Sequence, residues 1–251
     1  MRGARFIALL GAISVNAPQA WSADPAPAAG SDKAMIPATQ LDAVPAAIPV
    51  PRPVRHADFG KLEPSRDARH VADWVVDSDD SKALPFLIVD KVAAKVFAFD
   101  AHGRLRGVAP ALLGIALGDD SAPGVGDREL SSIPVKDRTT PAGRFLSGLG
   151  HNYAGKDILW VDYDAAISMH RVINTNPRER RPHRLTTPTT ADKRISFGCI
   201  NVPIRFFEDV VRPAFGGPGG FVYVLPETRS VRSQFSSYDV RDAAERARAL
   251  R

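Results

Sequence analysis

Cysteine is nearly absent from this sequence: Cys199 is the single one in 251 residues. An internal disulfide is thereby excluded. The apolar run near the N-terminus, residues 6–15, covers 10 residues, well short of the roughly 20 that a bilayer-spanning helix needs. There is no internal repeat. No His-Glu-x-x-His or comparable metal-ligand spacing occurs, so no metal and no cofactor are predicted. The glycine-rich stretch over residues 118–126 (GDDSAPGVG) lacks the lysine and the following helix of a phosphate-binding loop, and reads as a surface loop near the cleft.

What is present begins with Arg2 and Arg5 ahead of that apolar run, the pattern of an export signal over residues 1–23, with Ala17 and Ala23 both open as cleavage points. No cysteine lies there to carry a lipid. The expectation is an exported protein of the periplasm or cell-wall space, without stable membrane insertion once the signal is cleaved. Export makes the lone thiol informative, because structural cysteines in oxidising compartments come in pairs. Cys199 is an inert buried thiol, a link to another chain, or a reactive nucleophile; the count alone leaves all three open. The net charge of +5 suits anionic surroundings. In an exported chain these are wall polymers or lipid head groups rather than nucleic acid.

Residues 24–68 are rich in Ala and Pro; such composition buries little and favours extended chain, so they read as a linker, an ordered arm being the alternative. Residues 69–228 read as the folded domain. Short apolar, β-branched and aromatic runs at 84–92, 95–99, 108–117, 144–149, 158–163, 165–172 and 220–225 are separated by Gly, Pro, Asp and Ser, as strands are. Ile204, Phe207, Val210 and Val211 recur at helical spacing after Pro203. The predicted fold is mostly β (α+β), a β-sandwich or partly closed barrel with one or two helices. Residues 229–251 read as a basic, solvated tail with helical propensity.

The richest segment is Arg194-Ile195-Ser196-Phe197-Gly198-Cys199-Ile200-Asn201. A free thiol is only a few per cent thiolate near neutrality, so an acyl-transfer cysteine needs a base and an electropositive setting. Gly198 keeps the approach to the sulfur open. The backbone N–H groups of Gly198 and Cys199 are candidates for an oxyanion hole, and the dipole of the helix after Pro203 is a candidate for favouring thiolate. Ser196-Phe197-Gly198-Cys199-Ile200-Asn201 resembles the Ser/Thr-His-Gly-Cys-aliphatic-Arg/Asn signature of L,D-transpeptidase (YkuD-like) catalytic domains. Thr140-Pro141-Ala142-Gly143-Arg144-Phe145 resembles that family's Thr-Pro-x-Gly-x-Phe segment, and Ser168-Met169-His170 ends a predicted strand as the family's catalytic histidine does.

The resemblance, over roughly residues 84–225, implies a nucleophile at Cys199 and its base at His170. Ser196 and Gly198 then shape the turn, while Asn201 and Phe197 stand beside the substrate. Arg194 is no motif residue, but its charge suits binding of a stem-peptide carboxylate, a plain surface arginine being the alternative. The implied substrate is the peptide stem of peptidoglycan, cross-linked through a thioester, with carbapenem-type β-lactams as inhibitors. A hydrolase on the same scaffold and a non-catalytic wall-binding module are the alternatives. Phe197 replaces the motif's own histidine. The 29 positions from His170 to Cys199 exceed the family's usual spacing, pointing to a basic inserted loop over residues 176–193. His183, inside that loop, is the rival base.

Overall fold

The computed structural model describes residues 52–251. Strands β1 (Phe86–Asp90) and β10 (Gly220–Val224) are buried at every position and pair in parallel. Near-continuous apolar strands of this kind belong in a sheet covered on both faces. Alternation along them assigns the faces. Leu87 and Val89 of β1 and Val222 and Val224 of β10 enter one core, here the inner one; Phe86, Ile88, Phe221 and Tyr223 enter the other, the outer core.

Strands β2 (Lys95–Phe99) and β3 (Leu105–Pro110) extend the sheet on one side; β5 (Gly143–His151), β6 (Asp157–Asp162), β7 (Ile167–Arg171) and β9 (Ile200–Val202) extend it on the other. The order is β3-β2-β1-β10-β5-β6-β7-β9. β4 (Leu113–Gly114) pairs in parallel with β8 (Arg194–Ser196). Between β3 and β4, Leu112 exchanges backbone hydrogen bonds of 2.8 and 2.9 Å with Asn201 on β9. The two ends of the sheet thus meet at one segment, and the sheet is nearly closed. The mostly-β expectation holds. The helices are more numerous than expected: α1 (Arg66–Ser78), α2 (Arg181–Thr186), α3 (Ile204–Phe206), α4 (Arg212–Phe215), α5 (Val231–Phe235) and α6 (Ala243–Ala249). The helix foreseen after Pro203 is α3, which runs through a π turn at Phe207–Val211 into α4. It drives Phe206, Phe207, Val211 and Phe215 into the inner core.

Two expected boundaries move. The linker-to-domain border at 68/69 falls inside α1, whose Ala68, Val71, Ala72 and Val75 are fully buried at the helical spacing that makes one apolar face. Ser65 caps it, its hydroxyl accepting from the Ala68 N–H at 3.1 Å. Upstream, Ala57 and Phe59 are buried, and Asp58 bonds to Gly103 and Leu105, so residues 57–68 are part of the domain. The solvated tail is likewise replaced by a docked one: Val231, Tyr238 and Val240 join the outer core, and the Arg246 guanidinium meets the fully buried Asp77 at 2.7 and 2.9 Å. Apolar side chains spaced too irregularly for a period do the anchoring. The expected signal and most of the linker, residues 1–51, lie outside the described residues. Among the described residues no helix is long and apolar enough to cross a membrane.

Candidate active site

β7 alternates cleanly. Met169 is fully buried in the inner core, so Ser168 and His170 on either side of it point to the opposite face. β9 runs parallel beside it, pairing Met169 with Ile200 and His170 with Asn201. Cys199, immediately before β9, is therefore delivered to the face that carries Ser168 and His170. Its Sγ lies 3.6 Å from Ser168 Oγ and 3.9 Å from the Ala166 carbonyl oxygen.

The protonation pattern follows from the partners. His170 Nδ1 lies 2.8 Å from the Arg171 carbonyl oxygen; a carbonyl only accepts, so Nδ1 carries the proton and Nε2 is left basic. Asn201 is wholly buried, and its amide is fixed in the same way. Arg181 donates to Oδ1 at 2.8 Å, leaving Nδ2 to face the Cys199 carbonyl oxygen at 3.2 Å and His170 Nε2 at 3.5 Å. Burial pushes the Cys199 thiol up, but the His170 ring and the Ser168 backbone and hydroxyl outweigh it and hold the thiol below its ordinary value.

The turn before the thiol is rigidly built. Gly198 has φ +132°, and a Cβ there would stand 2.6 Å from Ile167 Cδ1 and 2.7 Å from the Thr139 carbonyl oxygen; only glycine fits. Ser196 Oγ donates to the Cys199 carbonyl oxygen at 2.7 Å and accepts the Gly198 N–H at 3.1 Å. That second bond corrects the oxyanion expectation: the Gly198 N–H is engaged, and Cys199 N–H is the member of the pair that remains. From the Thr-Pro-x-Gly-x-Phe segment, Thr140 Oγ1 donates to the Gly198 carbonyl oxygen at 2.7 Å while accepting the Gly114 N–H at 2.8 Å. The two sequence motifs are thus one structural unit. The helix dipole is corrected as well. β9 and Pro203 separate Cys199 from α3 by about 15 Å of extended chain, beyond a dipole's short reach.

Other expectations divide. Phe197 is half-buried against the inner core, with the Arg138 guanidinium 3.9 Å from its ring centroid; the position of the motif's histidine is a packing position here. Arg194 is not turned to a substrate. Its guanidinium holds both Glu227 carboxylate oxygens and reaches the carbonyls of Gly114 and Lys91 at 3.4 and 3.2 Å. His183 is exposed on α2, and it is His170 that borders the thiol. The inserted segment 176–193 is more ordered than a loop: the buried Lys193 donates to the carbonyls of Arg184 and Thr187 at 3.0 and 2.6 Å, and Arg181 hooks it to Asn201. The glycine-rich stretch 118–126 is not only surface, since Asp119 is buried within it. Lys91 and Arg181 stand in no motif and nothing local signals them; Thr140 and Ser168 lie in the motif segments without a role assigned there, although alternation on β7 signals Ser168. Among the described residues no group of three or more His, Cys, Asp or Glu side chains is placed to hold a metal ion.

Fold and site together define a nearly closed, mostly-β domain with a histidine on β7 and a cysteine immediately before the adjacent, parallel β9. No family model matches the chain, and no curated protein does. Among solved structures it is similar to an L,D-transpeptidase from Xylanimonas cellulosilytica (15% identity, TM-score 0.33, covering 56% of this chain and 60% of that one). It is also similar to a mutant of the helical cell shape determining protein Pgp2 from Campylobacter jejuni (14%, 0.40, 71% and 60%). A third similar structure is the catalytic domain of the L,D-transpeptidase from Enterococcus faecium (18%, 0.31, 56% and 95%). The chain spans 50–60% of the length of the first structures it matches.

Proposed function

We propose that this protein is an exported, cysteine-dependent L,D-transpeptidase acting on the peptide stems of peptidoglycan. The observation that carries the reading is the placement of the Cys199 thiol against Ser168, beside a His170 ring whose Nδ1 proton is fixed and whose Nε2 is basic. That is the arrangement covalent acyl transfer needs. His170 Nε2 takes the thiol proton. The thiolate attacks the carbonyl of the L-to-D peptide bond that follows the diamino acid of a tetrapeptide stem. The Cys199 N–H donates to the developing oxyanion. Collapse breaks the C–N bond; D-alanine leaves with the proton from His170, and a thioester remains on Cys199. The side-chain amine of a second stem attacks the thioester, passes its proton to His170 and expels the thiolate, forming the cross-link. Water in place of the amine gives the L,D-carboxypeptidase outcome through the same intermediate. No step requires a cofactor, and a carbapenem-type β-lactam acylates the same sulfur.

Mass spectrometry of purified muropeptides incubated with the protein tests this. The expected products are an acyl-enzyme at Cys199, released D-alanine and cross-linked dimers, all absent with Cys199→Ala and nearly absent with His170→Ala. Trimmed stems without dimers assign the hydrolase. A wild-type rate in His170→Ala removes His170 as the base.

A further inference from the structure

Trp160 and Tyr163 take no part in the chemistry above, yet they stand next to it. On β6, Leu159 and Val161 face the inner core, so Trp160 between them faces outward. Its register partner on β7 is Ser168, and on β5 it is Gly148. Directly paired residues of antiparallel strands hold their Cβ atoms about 5 Å apart on one face. The indole therefore rises from the sheet beside the serine that touches Cys199 Sγ. β5 leaves room for it: a Cβ at Gly148 would meet nothing within 4 Å, and one at Gly150 would stand 2.8 Å from indole Cδ1 and Nε1. The indole lies over the bare backbone of Gly150. Tyr163, in the turn from β6 to β7, stacks on it with ring centroids 5.5 Å apart and planes 25° from parallel, and is 59% exposed. The same turn ends at Ala166, whose carbonyl oxygen lies 3.9 Å from Sγ.

We infer that Trp160 and Tyr163 form a saccharide subsite that holds a pyranose ring of the glycan strand bearing the reacting stem. This rests on the reading of the protein as acting on peptidoglycan. The pair offers flat apolar faces with polar edges, a phenol hydroxyl and an indole N–H. A pyranose has the complementary form, with an apolar face of C–H groups and a rim of hydroxyls. The pair itself is uncharged, whereas the stem carries amines and carboxylates. An N-acetylated hexosamine satisfies an aromatic wall of this kind, and the stem's covalent attachment to the glycan brings such a sugar close to the thiol.

The probe is β-1,4-linked tetra-N-acetylglucosamine, titrated into the full-length Cys199→Ala protein and followed by calorimetry. Saturable binding is expected, weakened about tenfold by adding Trp160→Ala or Tyr163→Ala, with Trp160→Phe retaining most of it. No binding, or binding indifferent to both alanine variants, overturns the subsite. In a second arm, acyl-enzyme formation is compared for a disaccharide–tetrapeptide and the free tetrapeptide. The ratio of their kcat/KM values is expected to fall about tenfold in Tyr163→Ala, and an unaltered ratio overturns the proposal. Tetrasaccharide binding without any acyl-enzyme sinks the transpeptidase reading and leaves the subsite standing. Acyl-enzyme with no sugar dependence does the reverse.

Discussion

Two polar clusters meet at Thr140, and they are built on opposite rules. Behind it, Lys91 is fully buried and its three donors are filled by the Gly118 and Thr140 carbonyls and Asp119, at 2.5, 3.0 and 2.9 Å. Asp119 in turn accepts from the Glu227 and Thr228 N–H groups at 2.7 and 2.9 Å. Before it, the reacting groups keep looser company: Cys199 Sγ touches Ser168 Oγ at 3.6 Å, and His170 Nε2 faces Asn201 Nδ2 at 3.5 Å. The saturated cluster has no capacity left for chemistry; the loose one does. Thr140 joins them, its carbonyl held by Lys91 and its hydroxyl holding Gly198. A buried, satisfied frame is what keeps an unsaturated site in position.

Breaking the frame has the largest expected effect. Lys91→Met leaves the buried Asp119 without its ammonium partner and should cost about 3–5 kcal/mol of stability, read by urea unfolding; part returns when Asp119→Asn is added. The pH dependence has a defined sign. Burial alone would raise the Asp119 carboxyl, but the Thr228 hydroxyl, Lys91 and two backbone N–H groups hold it well below the usual carboxylate range. Its contribution is whole above about pH 4, the unfolded value, and is lost as pH falls toward the folded value. Asp119→Asn should flatten that acid limb of the stability curve; an unaltered limb removes Asp119 as its source.

Cutting the joint comes next. Thr140→Val leaves the Gly198 carbonyl and the Gly114 N–H unpaired, costing about 1–3 kcal/mol. It should also slow iodoacetamide alkylation of Cys199 in the still-folded protein. Alkylation at the wild-type rate would mean that Thr140 supports the fold alone. Arg181→Met is expected to act less, about 1 kcal/mol through the orphaned Asn201 oxygen, with Arg181→Lys restoring most of it. The smallest effect sharpens the loose cluster itself. Thiolate is the reactive form, so alkylation in the wild-type protein should rise with pH through a midpoint below that of an ordinary thiol. In His170→Ala the midpoint should move up. Coincident profiles would break the Cys199–His170 pairing.

The loose cluster was the more legible of the two. Cys199, His170, Gly198 and Ser196 stand in short motifs, and strand alternation alone predicts that Ser168 and His170 share a face. The strands were legible because β1, β2 and β10 are apolar runs bounded by turn residues. The frame was opaque, since Lys91 finds Thr140 49 residues on and Arg194 finds Lys91 103 residues back. An arginine that holds a buried glutamate and one that awaits a substrate look alike in a sequence, which is why Arg194 was misassigned. Helix α1 was not foreseen, although Ala68, Val71, Ala72 and Val75 carry helical spacing; the proline-rich chain before it masked where order begins. The docked tail carries no such period, and Val231, Tyr238 and Val240 acquire meaning only against the outer face of the sheet.

Arg246, met above as an ion-pair partner of Asp77, also donates to the carbonyls of Arg52 and Pro53 at 2.8 and 3.0 Å. The first and last parts of the described domain are therefore neighbours. A short peptide joining Arg251 to Arg52, with new ends cut at the exposed stretch 188–190, makes a circular permutant whose clasp becomes a covalent loop. Such a rearranged chain separates the order in which the strands are synthesised from the order in which they pair.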